Sequence, residues 1–272
     1  MFTLRYQERS PRVTLLQILL KDEHNLRIDG VFGSKTLAAV GAFQKSHGEF
    51  AAGIPTPGTW GELLRGTRLA VISSVDAGDP EMAKVDGRAL EASGDKPILL
   101  GQMCNGIGQL MREVGARTAG SKIAALRLDG HGNLGRWLTV SVGNVVDMPR
   151  PEYRETAKEY HSYINPAHFS DVEPMLRRLS GHFAPFGFAE HHGCSLGKRP
   201  ETRAMLARLA DLWGIPFSVG YTLQPFGVVT SFHGPVFTAY PLNMDLHSWS
   251  RQFQNISVRN VSFLSSKRPF MR

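Results

Sequence analysis

The chain has 272 residues, 42% of them hydrophobic and 20% charged, which is enough apolar material for a sizeable core and too much for a disordered chain. A formal charge of +7 favours a polyanionic neighbour, yet no Lys/Arg run with interleaved aromatics, zinc-finger spacing or helix-turn-helix pattern singles out nucleic acid. Two cysteines are too few for a disulfide scaffold, and no stretch reaches the ~18 apolar residues of a membrane span.

Leu15-Leu-Gln-Ile-Leu-Leu20 has the apolar density of a first helix. Asp29-Gly30 signals a turn, and Phe32 followed by Gly33 sets an apolar anchor beside a position free to take a positive φ. Ser34 is placed to cap a second helix carrying Leu37, Val40 and Phe43-Gln44, and Thr59 to cap a third running from Trp60 to Leu64. Three short helices around one small core are therefore expected over residues 1–66, with Leu16, Leu19, Phe32, Val40 and Phe43 inside. Any groove on this unit has to be built from flanking polar residues such as Arg27, Asp29 and Thr36.

These residues resemble the small helical peptidoglycan-binding module found at the ends of many cell-wall enzymes. Leu15, Leu16, Gln17 and Leu19 match its first helix, Asp29, Gly30, Phe32, Gly33 and Thr36 its central turn, Val40, Phe43 and Gln44 its second helix, and Thr59-Trp60 the opening of its third. The resemblance implies peptidoglycan or another wall polymer as partner, which suits the basic chain. The first residues lack the apolar run of a secretory signal, so cytoplasmic synthesis followed by lysis, a holin or a specialised export machine is the expected route to a wall.

After Gly66 strand-like and helix-like segments alternate, which predicts a larger α/β layered domain over 67–272. Leu69 to Val75 reads as a buried strand, Asp76 to Asp95 as loop with at most one weak helix, Pro97 to Gly101 as a short strand and Gly108 to Arg117 as a helix. Ile123 to Leu128 is an apolar strand broken only by Arg127, and Trp137 to Val142 a short hairpin or edge element. Asp147 to Ser170 reads as a Pro-rich excursion and Asp171 to Leu179 as a helix capped by Asp171. Gly187 to His192 is the next strand, Pro200 to Trp213 a helix stopped by Gly214, and Ile215 to Val219 a further strand, with no element assigned in the aromatic tail.

His131 lies in a glycine-flanked turn after one strand and Cys194 in a glycine-flanked turn after a later one. In an open parallel sheet both turns share one edge. A thiolate is a nucleophile, an imidazole can take its proton, and the backbone N–H groups of Gly132 and Cys194 can serve a developing oxyanion. Asp129 is a candidate to orient His131, with turn stabilisation the alternative, and Cys104 reads as core or inert. His191 and His192 alternate along their strand, one expected to face the core and the other the surface or the active edge. No metal site and no cofactor are expected.

Leu126-Arg-Leu-Asp-Gly-His-Gly132 and Ala189-Glu-His-His-Gly-Cys-Ser-Leu-Gly197 resemble the caspase-like, or gingipain-like, cysteine peptidases, closest to the bacterial self-processing branch. In that family a His-Gly turn follows the third core strand and a Cys turn the fourth. The resemblance implies a caspase-like α/β/α fold over about Leu69 to Val219, with Cys194 as nucleophile, His131 as general base and a peptide or protein substrate. Two other readings stand beside it: an endolysin-type wall hydrolase, and a non-catalytic wall-binding or interaction protein.

Overall fold

The computed structural model describes residues 1–101, 106–132, 135–142 and 161–259. Cys104 and residues 147–160 of the expected Pro-rich excursion lie outside them.

Three helices open the chain: α1 (Pro11–His24), α2 (Ser34–Ser46) and α3 (Pro57–Leu64). Ser10 caps α1 by accepting a hydrogen bond from the Val13 N–H, Pro11 fits its first turn, and Asn25 ends it in a left-handed conformation. Two caps differ from expectation. Gly33, rather than Ser34, sits at the cap of α2 and makes no side-chain bond, while Thr56, rather than Thr59, caps α3. Thr59 instead returns the bond from the third helical position, completing a reciprocal capping box.

From Leu69 the order is β1 (Leu69–Asp76), α4 (Pro80–Ala92), β2 (Ile98–Leu100), α5 (Gly106–Arg117), β3 (Lys122–Asp129), β4 (Leu138–Thr139) and β5 (Tyr163–Ile164). Then follow α6 (Phe169–Leu176), β6 (Phe183–His191), α7 (Pro200–Trp213), β7 (Phe217–Gly220), β8 (Val236–Ala239) and α8 (Leu246–Arg251). Six strands form one sheet in the order β2-β1-β3-β6-β7-β8, parallel except for β8, which runs against β7. The short strands β4 and β5 pair apart from it as an antiparallel ribbon. This is the expected α/β architecture: a mixed sheet with a mostly parallel core.

Three local expectations are corrected. The segment after β1, read as loop with at most one weak helix, holds the well-capped 13-residue helix α4, because Asp79 accepts hydrogen bonds from the Glu81 and Met82 N–H groups and Pro80 suits the first turn. Helix α6 begins at Phe169, so Asp171 falls inside its first turn rather than at its cap. The tail left unassigned contributes β8 and α8.

Side chains alternate along β6. Phe183, Ala189 and the helices α5, α6 and α7 share one core, while Ala184, Phe186 and Phe188 face the opposite side of the sheet. What covers that opposite side is the first helical segment. Leu16, Leu19, Phe32, Val40 and Phe43 are buried as expected, but in a core that continues into Ala125, Phe186, Phe188, Trp249 and Phe253. Helix α1 packs on β6, and every residue from Pro11 to Leu20 is buried, one flank under α2 and α3 and another on the sheet. Burial of Phe186 and Phe188 is worth roughly 1.5–3 kcal/mol each, and without these helices both would face water.

Candidate functional site

Strands β3 and β6 are parallel neighbours, with Leu128 opposite His191, so the turns that follow them emerge at the same edge of the sheet. His131 Nε2 lies 2.8 Å from Asp79 Oδ2. The other oxygen of that carboxylate accepts the Glu81 and Met82 N–H groups at 2.9 and 3.1 Å, so Asp79 caps α4 and holds the imidazole at once. Burial pushes Asp79 up, but the Met82 N–H and His131 outweigh it and hold the carboxyl below its ordinary value. With Nε2–H donating to Asp79, Nδ1 is the basic nitrogen of the ring. Phe226 meets the imidazole edge-on, with ring centroids 6.1 Å apart.

The Cys194 thiol engages the loop after β7. Its Sγ accepts the Gln224 N–H at 3.3 Å and its S–H points to the Gln224 carbonyl at 3.7 Å. The His131 and Cys194 turns are in backbone contact: a Cβ on Gly132 would come within 1.9 Å of the Cys194 carbonyl oxygen and 2.6 Å of its nitrogen. Only glycine fits there. Gly193 is constrained in the same way, since a Cβ would lie 2.8 Å from His191 Nδ1.

His191 and His192 are both buried; of the two places expected for the outward one, the surface or the active edge, His192 takes the second, lining the same cavity as His131 and Cys194. His191 Nε2 lies 3.0 Å from the Thr139 carbonyl, to which its N–H donates. His192 Nε2 lies 3.2 Å from Glu190 Oε1, and its ring stacks on Phe232. Burial pushes His191 down to about 3 and His192 down to about 4, so both are neutral at physiological pH.

Glu190 anchors a buried network behind the two turns. Its Oε2 accepts Arg12 Nε of α1 at 2.8 Å, and its Oε1 accepts Arg127 Nε of β3 at 3.0 Å. Arg127 Nη1 continues to Asp95 Oδ2 at 3.0 Å and Ser73 Oγ at 3.3 Å, and Phe2 lies beneath both guanidinium groups. Burial pushes Glu190 up, yet Arg12, His192 and Arg127 together hold it well below the usual carboxylate range. The network therefore ties α1 to the two strands that carry the turns.

Asp129, the residue expected to orient His131, faces elsewhere. It is fully buried beside Asp86 of α4, and burial, followed by the neighbouring Asp86 carboxylate, pushes it well above its ordinary value. Burial pushes the Asp86 carboxyl up as well, and its Oδ1 accepts the Gly227 N–H. The His131 partner is Asp79, which the sequence signalled only as Asp79-Pro80-Glu81, a helix start just after a strand end. Asp86, Asp129, His131, His192 and Cys194 all line one cavity of about 10 Å³, room for about one water.

In the helical segment, Gln17 is the hub of the central turn. Its Nε2 donates to Asp29 Oδ1, the Val31 carbonyl and Thr36 Oγ1, and its Oε1 accepts the Asp29 and Gly30 N–H groups. Asp29 and Thr36 are thus engaged inside the fold, and Thr36 is buried. Arg27 is exposed, beside Lys21, Asp22 and Asn25 on an open depression.

Residues 9–63 match the family model described as "Putative peptidoglycan binding domain". The peptidoglycan-binding module so defined runs from just before α1 to the end of α3, and the match supports a wall polymer as its partner. No curated protein and no solved structure matches the chain. Among the described residues no helix is long and apolar enough to cross a membrane.

Proposed function

We propose that the chain is a cysteine hydrolase of caspase-like type that cuts an amide bond at the cell wall, with Cys194 as nucleophile and His131 as general base. The observation that carries this reading is the meeting of the two turns: they leave adjacent parallel strands, line one cavity and touch through Gly132. Within the six-stranded sheet the His turn follows the third strand in chain order and the Cys turn the fourth, which supports the same reading. The module supplies the wall partner.

The chemistry runs as follows. The Cys194 thiol gives its proton to His131 Nδ1, and the thiolate attacks the carbonyl carbon, forming a C–S bond. Asp79, through Nε2–H, fixes the tautomer and stabilises the imidazolium. The Gly132 and Cys194 N–H groups are the donors for the oxyanion. Collapse breaks the C–N bond as the imidazolium protonates the leaving amine, and water then hydrolyses the thioester by the same base. The Gln224 N–H has to leave Sγ before attack.

That contact is also what favours the rival reading, an α/β unit that keeps its thiol covered and binds without turnover. Alkylation of Cys194 by iodoacetamide across pH separates them, using the native chain, Cys194→Ala and His131→Ala. The hydrolase reading expects fast labelling below pH 7 that disappears with His131. Labelling at the rate of a free thiol with a pKa of about 8.5, or none, overturns it.

A further inference from the structure

We propose that the cleft between residues 5–12 and strands β7–β8 is a binding site for a short peptide with small apolar side chains and one free carboxylate, the chemistry of a wall peptide stem. The inference deepens the wall-partner reading and does not depend on the thiol chemistry.

The cleft measures about 370 Å³, within the roughly 300–1,000 Å³ of small-ligand sites. One wall is tied to the module, since the Gln7 N–H donates to the Phe32 carbonyl and the Ser10 N–H to the Gly30 carbonyl. The other wall is sheet, with Ser218 of β7 and Val236 and Thr238 of β8 lining it. Most of the lining lies outside residues 9–63, so the cleft exists only where the module meets the sheet.

Charge narrows the ligand. Arg5 and Arg9 line the cleft and are exposed, and among the described residues neither guanidinium has a hydrogen bond or an ion pair. Arg12, buried in the same wall, is neutralised by Glu190. Glu8 lines the cleft too, its carboxylate accepting the Arg5 N–H at 3.1 Å and the Ser10 hydroxyl at 2.7 Å. Glu8 offsets one of the two free guanidiniums. The single net positive charge that remains suits one carboxylate, which the planar fork of an arginine matches, and not a polyanion.

The rest of the lining suits a peptide. Tyr6 is 52% exposed and Val236 42%, and with Phe232 they give the cleft an apolar flank for methyl-sized side chains. Ser218 Oγ and Thr238 Oγ1 bond each other at 2.9 Å, which leaves one hydroxyl hydrogen and spare lone pairs for peptide C=O and N–H groups. Phe232 also stacks on His192, which lines the His131–Cys194 cavity, so a peptide seated here lies one ring pair from that edge.

The test is calorimetric titration of the full chain with N-acetyl-D-alanyl-D-alanine, its C-terminal amide and inorganic phosphate, at one ionic strength. The acid is expected to bind about tenfold or more tightly than the amide, as one charge-assisted hydrogen bond would give. Arg5→Gln and Arg9→Gln should each lower that ratio and together bring it towards one. Both side chains are exposed and unpartnered, so the melting curve should not move. Equal affinity for acid and amide, binding of neither, or a ratio that survives the double substitution overturns the site. Phosphate binding as tightly as the acid overturns the peptide assignment. Co-sedimentation with insoluble peptidoglycan separates this inference from the reading beneath it. If the native chain sediments while the acid and amide do not differ, the cleft fails and the wall partner stands. If the native chain does not sediment, the wall reading fails, and the acid-to-amide ratio alone decides the cleft.

Discussion

Arg12 on the first helix and Glu190 on β6 stand 178 residues apart in the chain and 2.8 Å apart in the fold, both almost fully removed from water. Removing one partner of a buried ion pair strands the other charge, at a cost of about 3–5 kcal/mol. Arg12→Ala is therefore expected to lower stability by about that amount, read as a shift in the denaturant midpoint. Deleting residues 1–66 should give an insoluble α/β remainder, because it uncovers Phe186 and Phe188 along with Glu190. A soluble, cooperatively folding remainder would refute the shared core.

Acid should loosen the molecule before it touches most carboxylates. His191 and His192 stay neutral in the fold down to about 3 and about 4, whereas in the unfolded chain they charge near 6.5. The unfolded state thus binds more protons as pH falls below 6.5, so stability is full above that value and declines towards pH 4. Each histidine contributes a slope of about 1.4 kcal/mol per pH unit in that window. Glu190, whose folded carboxyl is depressed, adds to the loss below its ordinary value. Calorimetric Tm values at descending pH check this, and His192→Gln should flatten the slope.

Asp79 performs two tasks that substitution can part. Asp79→Asn keeps an oxygen for the Glu81 and Met82 N–H groups but no longer accepts from the imidazole as a carboxylate. Alkylation of Cys194 near pH 6 should fall by about tenfold, the scale of one lost charge-assisted hydrogen bond, with stability little changed. Asp79→Ala loses the cap as well, which costs about 1 kcal/mol.

Gly132→Ala should destabilise strongly and block labelling of Cys194, since its Cβ would overlap the Cys194 carbonyl oxygen at 1.9 Å. Gly115→Ala is the matched control. That position lies in α5 with nothing within 4 Å of a new Cβ, so the change should stabilise by about 0.5–1 kcal/mol.

At the module, Arg27→Glu should weaken co-sedimentation with insoluble peptidoglycan while leaving the melting curve alone, because the side chain is exposed. Thr36→Val should lower stability instead, since it breaks the hydrogen bond from Gln17. Unchanged sedimentation of the Arg27 variant would place the wall contact elsewhere.

Legibility in the sequence followed the range of the signal. Helix α7 could be read end to end because Pro200 opens it, Gly214 closes it at φ 64° and the buried Met205, Leu206, Leu209 and Leu212 mark one face. Strand β8 escaped because it is a short edge strand with only Ala239 buried, so it carries no alternation. The His131 and Cys194 turns were visible as glycine-flanked strand ends. Their partners were not, since Asp79 and Gln224 come from elements 52 and 30 residues away that only the fold brings near. Arg127 and Glu190, charges inside apolar strands, were the one hint of the network, but nothing local pointed from them to Arg12.

The continuity of the module's core with the sheet turns attachment into measurement. A binding unit on a flexible tether lets its enzyme search a volume set by linker length. Here there is no slack between α1 and β6, so whatever strand of wall polymer the first three helices grip is presented to the His131–Cys194 edge at one distance and one angle. Under the proposed hydrolysis, reach is then a fixed property of the sequence, and bonds elsewhere along the same polymer come into range only when the protein lets go and binds again.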